Sequence, residues 1–263
     1  QPAPEIKHTF RNDPILQAHL KAGMQATAMP TADQKNIFEH FDHIGQLAAT
    51  QWHQWAQEAE NQPPTHVPFS SWGQRIDEIK TSAAWQNLEK AAAVEGIVAT
   101  AYERKHSWFS RVYQMALLYL YHPSSAFYSC PLAMTDGAAR AIELYGNEQQ
   151  KSRAFRHLTS RDPKTFWTSG QWMTERTGGS DVSGTSTVAE PLPPATSGSP
   201  VEFALTGTKW FTSATTAQMT MTLARPLGAE EGSRGLSLFY LELRDAQQKL
   251  NGIQIHRLKE EFA

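Results

Sequence analysis

Cysteine is nearly absent from this chain of 263 residues, Cys130 being the one example. A lone thiol excludes an internal disulfide and any zinc cluster built on several cysteines. It also fits a reducing compartment. Charge of one sign is lacking too: the formal net charge is −2, and the absence of a basic patch argues against nucleic acid as a partner. Long apolar runs are missing. The longest, Met115–Tyr121, falls far short of the roughly 20 residues that span a bilayer. Gln1-Pro2-Ala3-Pro4-Glu5 is not followed by the apolar segment of a secretory signal. The expectation is a soluble, intracellular protein with no membrane span, its compartment (cytoplasm, mitochondrion or peroxisome) left open. Walker and Rossmann spacings, a His-Glu-x-x-His motif and internal repeats are absent as well.

What is present is a sizeable apolar fraction, 40%, in a length that suits one large domain or two ordinary ones. The first part reads as helical. Thr31 and Gln34 have the spacing of a capping box. Ile37, Phe41, Ile44, Ala48, Trp52 and Trp55 then recur at intervals of three and four, which predicts one helical face. Pro63-Pro64 ends it. Further helices are expected over Ala83–Lys90, Val94–Arg104 and Ser107–Tyr121, the last with Trp108, Val112, Met115, Tyr119 and Leu120 on its apolar side. Another leads to Tyr145 and stops at Gly146-Asn147, and a short one covers Glu148–Leu158.

The character changes after Pro163. Val201–Leu205 alternates as a half-buried strand does. Lys209–Thr212, Met219–Ala224, Leu236–Leu243 and Gly252–His256 read as further strands, with Gly207 as a hairpin turn. Pro191–Pro200 reads as a mobile surface loop. Helices first and strands after predict segregated α and β domains, an α+β protein. The boundary is placed at 163, giving domains 1–163 and 164–263.

Met173-Thr174-Glu175-Arg176-Thr177-Gly178-Gly179-Ser180-Asp181-Val182 is the stretch richest in possible chemistry. Two glycines let several amides converge, and Ser180 adds a hydroxyl, so a phosphate loop is one reading. An ordinary surface turn is the other, and taken alone the stretch favours it. His40 and His43 have a spacing that can bind metal, but no third ligand is evident, and a solvated helical face is the expectation. The run from Glu103 to His106 reads as a helix end whose cations complement the dipole. Cys130, beside Pro131, reads as a small packed residue.

Met173–Asp181 resembles the flavin-binding signature of the acyl-CoA dehydrogenase family, in a form close to its AidB-like branch. The family pattern is aliphatic, Thr or Ser, Glu, two variable residues, a small residue, Gly, Ser or Thr, Asp. Trp172 departs from it, since a small residue usually stands there. Gly207-Thr208-Lys209-Trp210-Phe211-Thr212-Ser213 resembles the family's later flavin-contacting strand. Arg257-Leu258-Lys259-Glu260 resembles an AidB-like pattern near the end of the β domain.

The resemblance implies an N-terminal all-helical domain followed by an antiparallel β-barrel-like domain, unfinished at residue 263. It implies an FAD-dependent oxidoreductase that desaturates an acyl-CoA thioester or related substrate. Met173 and Thr174 would contact the flavin pyrimidine edge. Gly179 and Ser180 would lie near the FAD pyrophosphate or the pantetheine, and Trp210, Phe211, Thr212 and Ser213 would line the isoalloxazine ring. Glu175 and Asp181 would serve loop structure. The family's catalytic base lies in a C-terminal helical domain, so no residue here is named as the base, and a truncated chain is expected. Such a chain would seek a homo-oligomer or a complementary C-terminal chain. The alternative reading is a non-catalytic interaction subunit or pseudoenzyme.

Overall fold

The structure is a computed structural model that describes residues 5–193 and 201–259. Gln1–Pro4, the 194–200 part of the expected loop, and Glu260–Ala263 lie outside the described residues. The chain divides into two compact units, one of residues 1–66 and 79–167, the other of residues 67–78 and 168–263.

The first unit is helical: α1 (Pro14–Ala26), α2 (Thr31–Ala49), α3 (Gln51–Glu60), α4 (Ala83–Val94), α5 (Ala99–Glu103), α6 (Phe109–Tyr121) and α7 (Ser129–Tyr145). Two short helices, α8 (Glu148–Gln150) and α9 (Arg156–Leu158), flank a π-helical turn over Lys151–Phe155. The predicted long helix breaks at Thr50, whose φ −127 and ψ −93 are not helical. Ile37, Phe41, Ile44, Ala48 and Trp52 are nevertheless all buried, as their spacing requires. They pack in one core with Leu20, Leu88, Phe109, Leu117 and Tyr121.

Three local expectations are corrected. The α2 cap is Pro30, with no side-chain bond; Gln34 donates instead to the Met29 carbonyl at 2.8 Å. The capping box that does form is Asn147 with Gln150. On α6 the buried face carries Phe109, Tyr113, Leu117 and Leu120, while Trp108, Met115 and Tyr119 are exposed. That helix is apolar on two sides, and periodicity alone does not choose between them. Cys130 is exposed, not packed.

The second unit holds the strands. A hairpin of β1 (Thr65–Phe69) and β2 (Arg75–Lys80) precedes, in sequence, the larger sheet of β3 (Ser169–Trp172), β4 (Val188–Pro191), β5 (Phe203–Thr206), β6 (Met219–Pro226) and β7 (Ser237–Glu242). β6 is the spine. β7 lies antiparallel along one edge of it, with Met219 opposite Glu242. The other edge is shared: β3 runs parallel beside Met219–Thr222, and β4 runs parallel beside Arg225 and Pro226. β4 then pairs antiparallel with β5. The fold class is therefore helices followed by a β-rich unit, and the sheet within it is mixed. Met219, Thr220, Met221 and Thr222 are all buried, as a central strand covered on both faces requires. The buried Thr222 hydroxyl is satisfied by the Trp172 carbonyl at 2.7 Å.

Lys209–Thr212 and Gly252–His256, expected as strands, are coil. Phe211 and Ala214 have positive φ, 54 and 53, which no extended strand accommodates. The 252–256 segment is held by Asp77, whose Oδ2 accepts from the Ile255 amide at 3.1 Å, and by Arg75, which donates to the Ile255 carbonyl at 2.9 Å. Among the described residues, no helix is long and apolar enough to cross a membrane.

Candidate functional site

β3 delivers the chain into Met173 and Thr174, both half-buried, and then into a tight loop. Glu175 anchors that loop. The carboxylate is buried and accepts five donors: the Ser186 amide at 2.7 Å and hydroxyl at 2.6 Å, the Thr187 amide at 3.1 Å and hydroxyl at 2.5 Å, and Lys209 Nζ at 2.8 Å. Burial by itself raises the carboxyl pKa. The Lys209 bond and then those from Ser186 and Thr187 overcome it, holding the pKa at about 2 against an ordinary 4.5. Glu175 is a fixed anion whose lone pairs are taken. It organises the loop and has none left for a proton in transit.

Glu175 and Gly178 exchange backbone bonds of 3.1 Å in each direction, closing the turn. Glycine is needed at 178, where a Cβ would stand 2.6 Å from the Asp181 carbonyl oxygen. At Gly179 a Cβ would press to 3.0 Å on the Thr174 hydroxyl and methyl. Asp181 accepts from the Ser183 amide at 2.9 Å, which lowers its pKa. Both acidic residues of the motif are thus committed to loop structure.

The second motif meets the first. The Trp210 amide donates to the Thr174 carbonyl at 2.9 Å, Lys209 reaches Glu175, and Trp172 Nε1 donates to the Ser213 carbonyl at 3.1 Å. Trp172, the departure from the family pattern, is thereby a strap between the two stretches. Room for it comes from Gly170, where a Cβ would stand 2.7 Å from the indole nitrogen. Trp210 is half-buried and lies tilted against Phe211, with centroids 5.5 Å apart; Phe211 is 58% exposed. Thr212 is half-buried, while Gly179, Ser180 and Ser213 are exposed. Sequence reasoning passed over Arg176, Arg257 and Lys259, whose cationic ends lie over the Trp210 and Phe211 rings. Their signal was present as basic residues within the glycine motif and in the Arg257–Glu260 stretch.

The histidines of α2 are not merely solvated. His40 Nε2 lies 2.9 Å and His43 Nε2 3.3 Å from the Glu95 carboxylate, and the Tyr113 hydroxyl lies 2.5 Å from His40 Nδ1. Among the described residues no cluster could hold a metal ion.

A helical unit, a mixed sheet with a β6 spine and a glycine loop laced to an aromatic segment are the features of this chain that the acyl-CoA dehydrogenase class of proteins matches. A family model described as the adaptive response protein AidB N-terminal domain matches residues 1–162, and one described as the acyl-CoA dehydrogenase middle domain matches 170–263. The chain belongs to the AidB-like branch of the acyl-CoA dehydrogenase family. It is 37% identical to acyl-CoA dehydrogenase family member 11 of Caenorhabditis elegans, the match covering 98% of this chain and 42% of that protein. To AidB of Escherichia coli K12 it is 27% identical, over 97% of this chain and 47% of that protein. The chain thus spans about half the length of these curated relatives. Among solved structures, Bd2924 in its apo form is 62% identical with a TM-score of 0.92, over 99% of this chain and 51% of that one. The C. elegans ACDH-11 complex with C11-CoA is 37% identical with a TM-score of 0.89, over 99% and 44%.

Proposed function

We propose that this chain carries the flavin-contacting part of an FAD-dependent acyl-CoA dehydrogenase-like oxidoreductase acting on an acyl-CoA thioester. In this proposal residues 1–163 form its helical domain and 164–263 its β domain. The cofactor-binding residues are Met173, Thr174, Gly179, Ser180, Trp210, Phe211, Thr212 and Ser213. The observation that carries the reading is the bond from the Trp210 amide to the Thr174 carbonyl, 2.9 Å, which joins the two motifs into one surface.

The residues present fit the group. Hydroxyls of Thr174, Thr212 and Ser213 suit the polar edge of a flavin, that of Ser180 suits its pyrophosphate or the pantetheine, and the Trp210 and Phe211 rings suit the flavin's face. Gly179 leaves open the space that a Cβ would take against Thr174, so a ligand can approach the backbone. Bound FAD would supply the hydride acceptor for α,β-desaturation. The chain's own part is to orient that group. Glu175 and Lys209 hold the loop, Trp172 ties Ser213 in place, and the rings exclude water from one face. The C11-CoA complex of the C. elegans relative favours an acyl-CoA ligand.

The test is the visible absorption spectrum of the purified full-length protein after incubation with FAD and desalting. A retained, structured flavin band is expected, and Trp210→Ala should release it. A colourless wild-type protein, folded by circular dichroism, would overturn FAD dependence and leave the non-catalytic interaction role.

A further inference from the structure

Three cationic side chains gather on the two exposed-edge rings of the site. The guanidinium carbons of Arg176 and Arg257 each lie 5.7 Å from the Trp210 ring centroid, and Lys259 Nζ lies 4.5 Å from that of Phe211. Arg176 belongs to the glycine loop, two residues before Gly178. Arg257 arrives from the far end of the unit, two residues past Ile255, which Asp77 and Arg75 tether. The fold therefore brings together two arginines that are 81 positions apart in sequence, both exposed.

Other cations of this unit are held by carboxylates or by backbone carbonyls, as Arg225 is by those of Ser183 and Gly232. Arg75 has Asp77 at 2.7 Å, and Lys209 has Glu175 at 2.8 Å. Arg176 and Arg257 have no carboxylate within ion-pair distance among the described residues; Glu175 and Asp181, the acids of the loop, are engaged elsewhere. Two like charges on one ring repel each other, and an exposed cation–π contact is a weak recompense. Such a pair is stabilised by an anion. Guanidinium forks match phosphate oxygens bidentately, and Arg176 shares its loop with the Gly178–Ser180 backbone and the Ser180 hydroxyl.

We infer that Arg176 and Arg257 form a clamp for the diphosphate of a nucleotide ligand. In the ligand-free chain they rest on Trp210, and they turn to the phosphates when the ligand enters. The inference rests on the proposed function for its setting, and it adds the two residues that read the ligand's charge. FAD and coenzyme A both carry a diphosphate, so the chemistry is shared and the experiment separates the two.

Inorganic pyrophosphate, FAD and free coenzyme A are each titrated into the full-length protein by calorimetry, with tryptophan fluorescence read in parallel. Wild type is compared with Arg176→Gln, Arg257→Gln, the double variant and the paired Arg→Lys variant. Pyrophosphate should bind wild type with an affinity that falls as salt rises, perturbing Trp210 emission. Each Arg→Gln change should weaken it about tenfold, or 1.4 kcal/mol, with partial recovery in the lysine variant. Whichever of FAD and coenzyme A weakens alongside identifies the source of the diphosphate. Thermal melts of the exposed-site variants should match wild type. Pyrophosphate affinity in the double variant within twofold of wild type would overturn the clamp, as would no pyrophosphate binding to wild type. Pyrophosphate binding that needs both arginines, with no retained flavin, would uphold the clamp while sinking FAD dependence.

Discussion

Lys209 Nζ lies 2.8 Å from the Glu175 carboxylate, and their side chains are only 10% and 3% exposed. This pair connects the glycine loop to the aromatic segment. It is desolvated on both sides, so neither partner tolerates loss of the other. Glu175→Gln should cost about 3 kcal/mol, since it leaves Lys209 enclosed without its counter-charge. Urea unfolding of wild type and variant measures it. A change below a tenth of that size would show that the pair is not an anchor.

The same carboxylate sets an acid limit on stability. Its folded pKa is depressed to about 2 from 4.5. The stabilisation is therefore complete above the unfolded value and is lost as pH falls from about 4.5 towards 2. Denaturant midpoints of wild type should drop through that window more steeply than those of Glu175→Gln. Parallel curves would refute the assignment.

Trp172 holds the Ser213 carbonyl through its indole nitrogen at 3.1 Å. Trp172→Phe keeps an aromatic ring but removes the donor. A loss of about 1 kcal/mol is expected, along with weaker retention of added FAD. Unchanged stability and flavin retention together would mean that the strap does not shape the site.

Gly207 approaches Thr187, where a Cβ would come within 2.7 Å of the backbone Cα. Gly207→Ala should destabilise by about 1–3 kcal/mol through overpacking. It should also disturb Glu175, because Thr187 is one of its donors. Thermal melts read the first effect. A variant as stable as wild type would show that the backbone yields freely there.

In the helical unit, Glu95 accepts from His40 and His43. Burial pushes its pKa up, and the His40 bond with the charges of both histidines brings it below 4.5. Glu95→Gln should cost about 1 kcal/mol near neutral pH. The difference from wild type should shrink as pH falls below 4.5, where the depressed carboxyl takes its proton. A gap that widens in acid would contradict this sign.

Much of the helical half was legible residue by residue. Ile37, Phe41, Ile44, Ala48 and Trp52 are buried as their spacing says, because a helical face repeats within a turn or two of chain. The break at Thr50 was not legible, since no proline or glycine marks it. The β1–β2 hairpin was missed for a related reason. Its residues are mostly exposed or half-buried, so no alternation of apolar and polar positions announces it.

The sequence by itself determined the order of the parts, helices before strands, and the two motifs that carry the family resemblance, because both reside in local spacing and residue type. The tertiary structure alone decided that Glu175 is fully engaged, that Trp172 straps Ser213, and that Arg176 and Arg257 share one ring. Lys209 and Ser213 are brought back to the glycine loop by the return of the chain through β4 and β5, and Arg257 by its further passage through β6 and β7. Side-chain partnership across such distances depends on strand register and burial, which no short window of residues encodes.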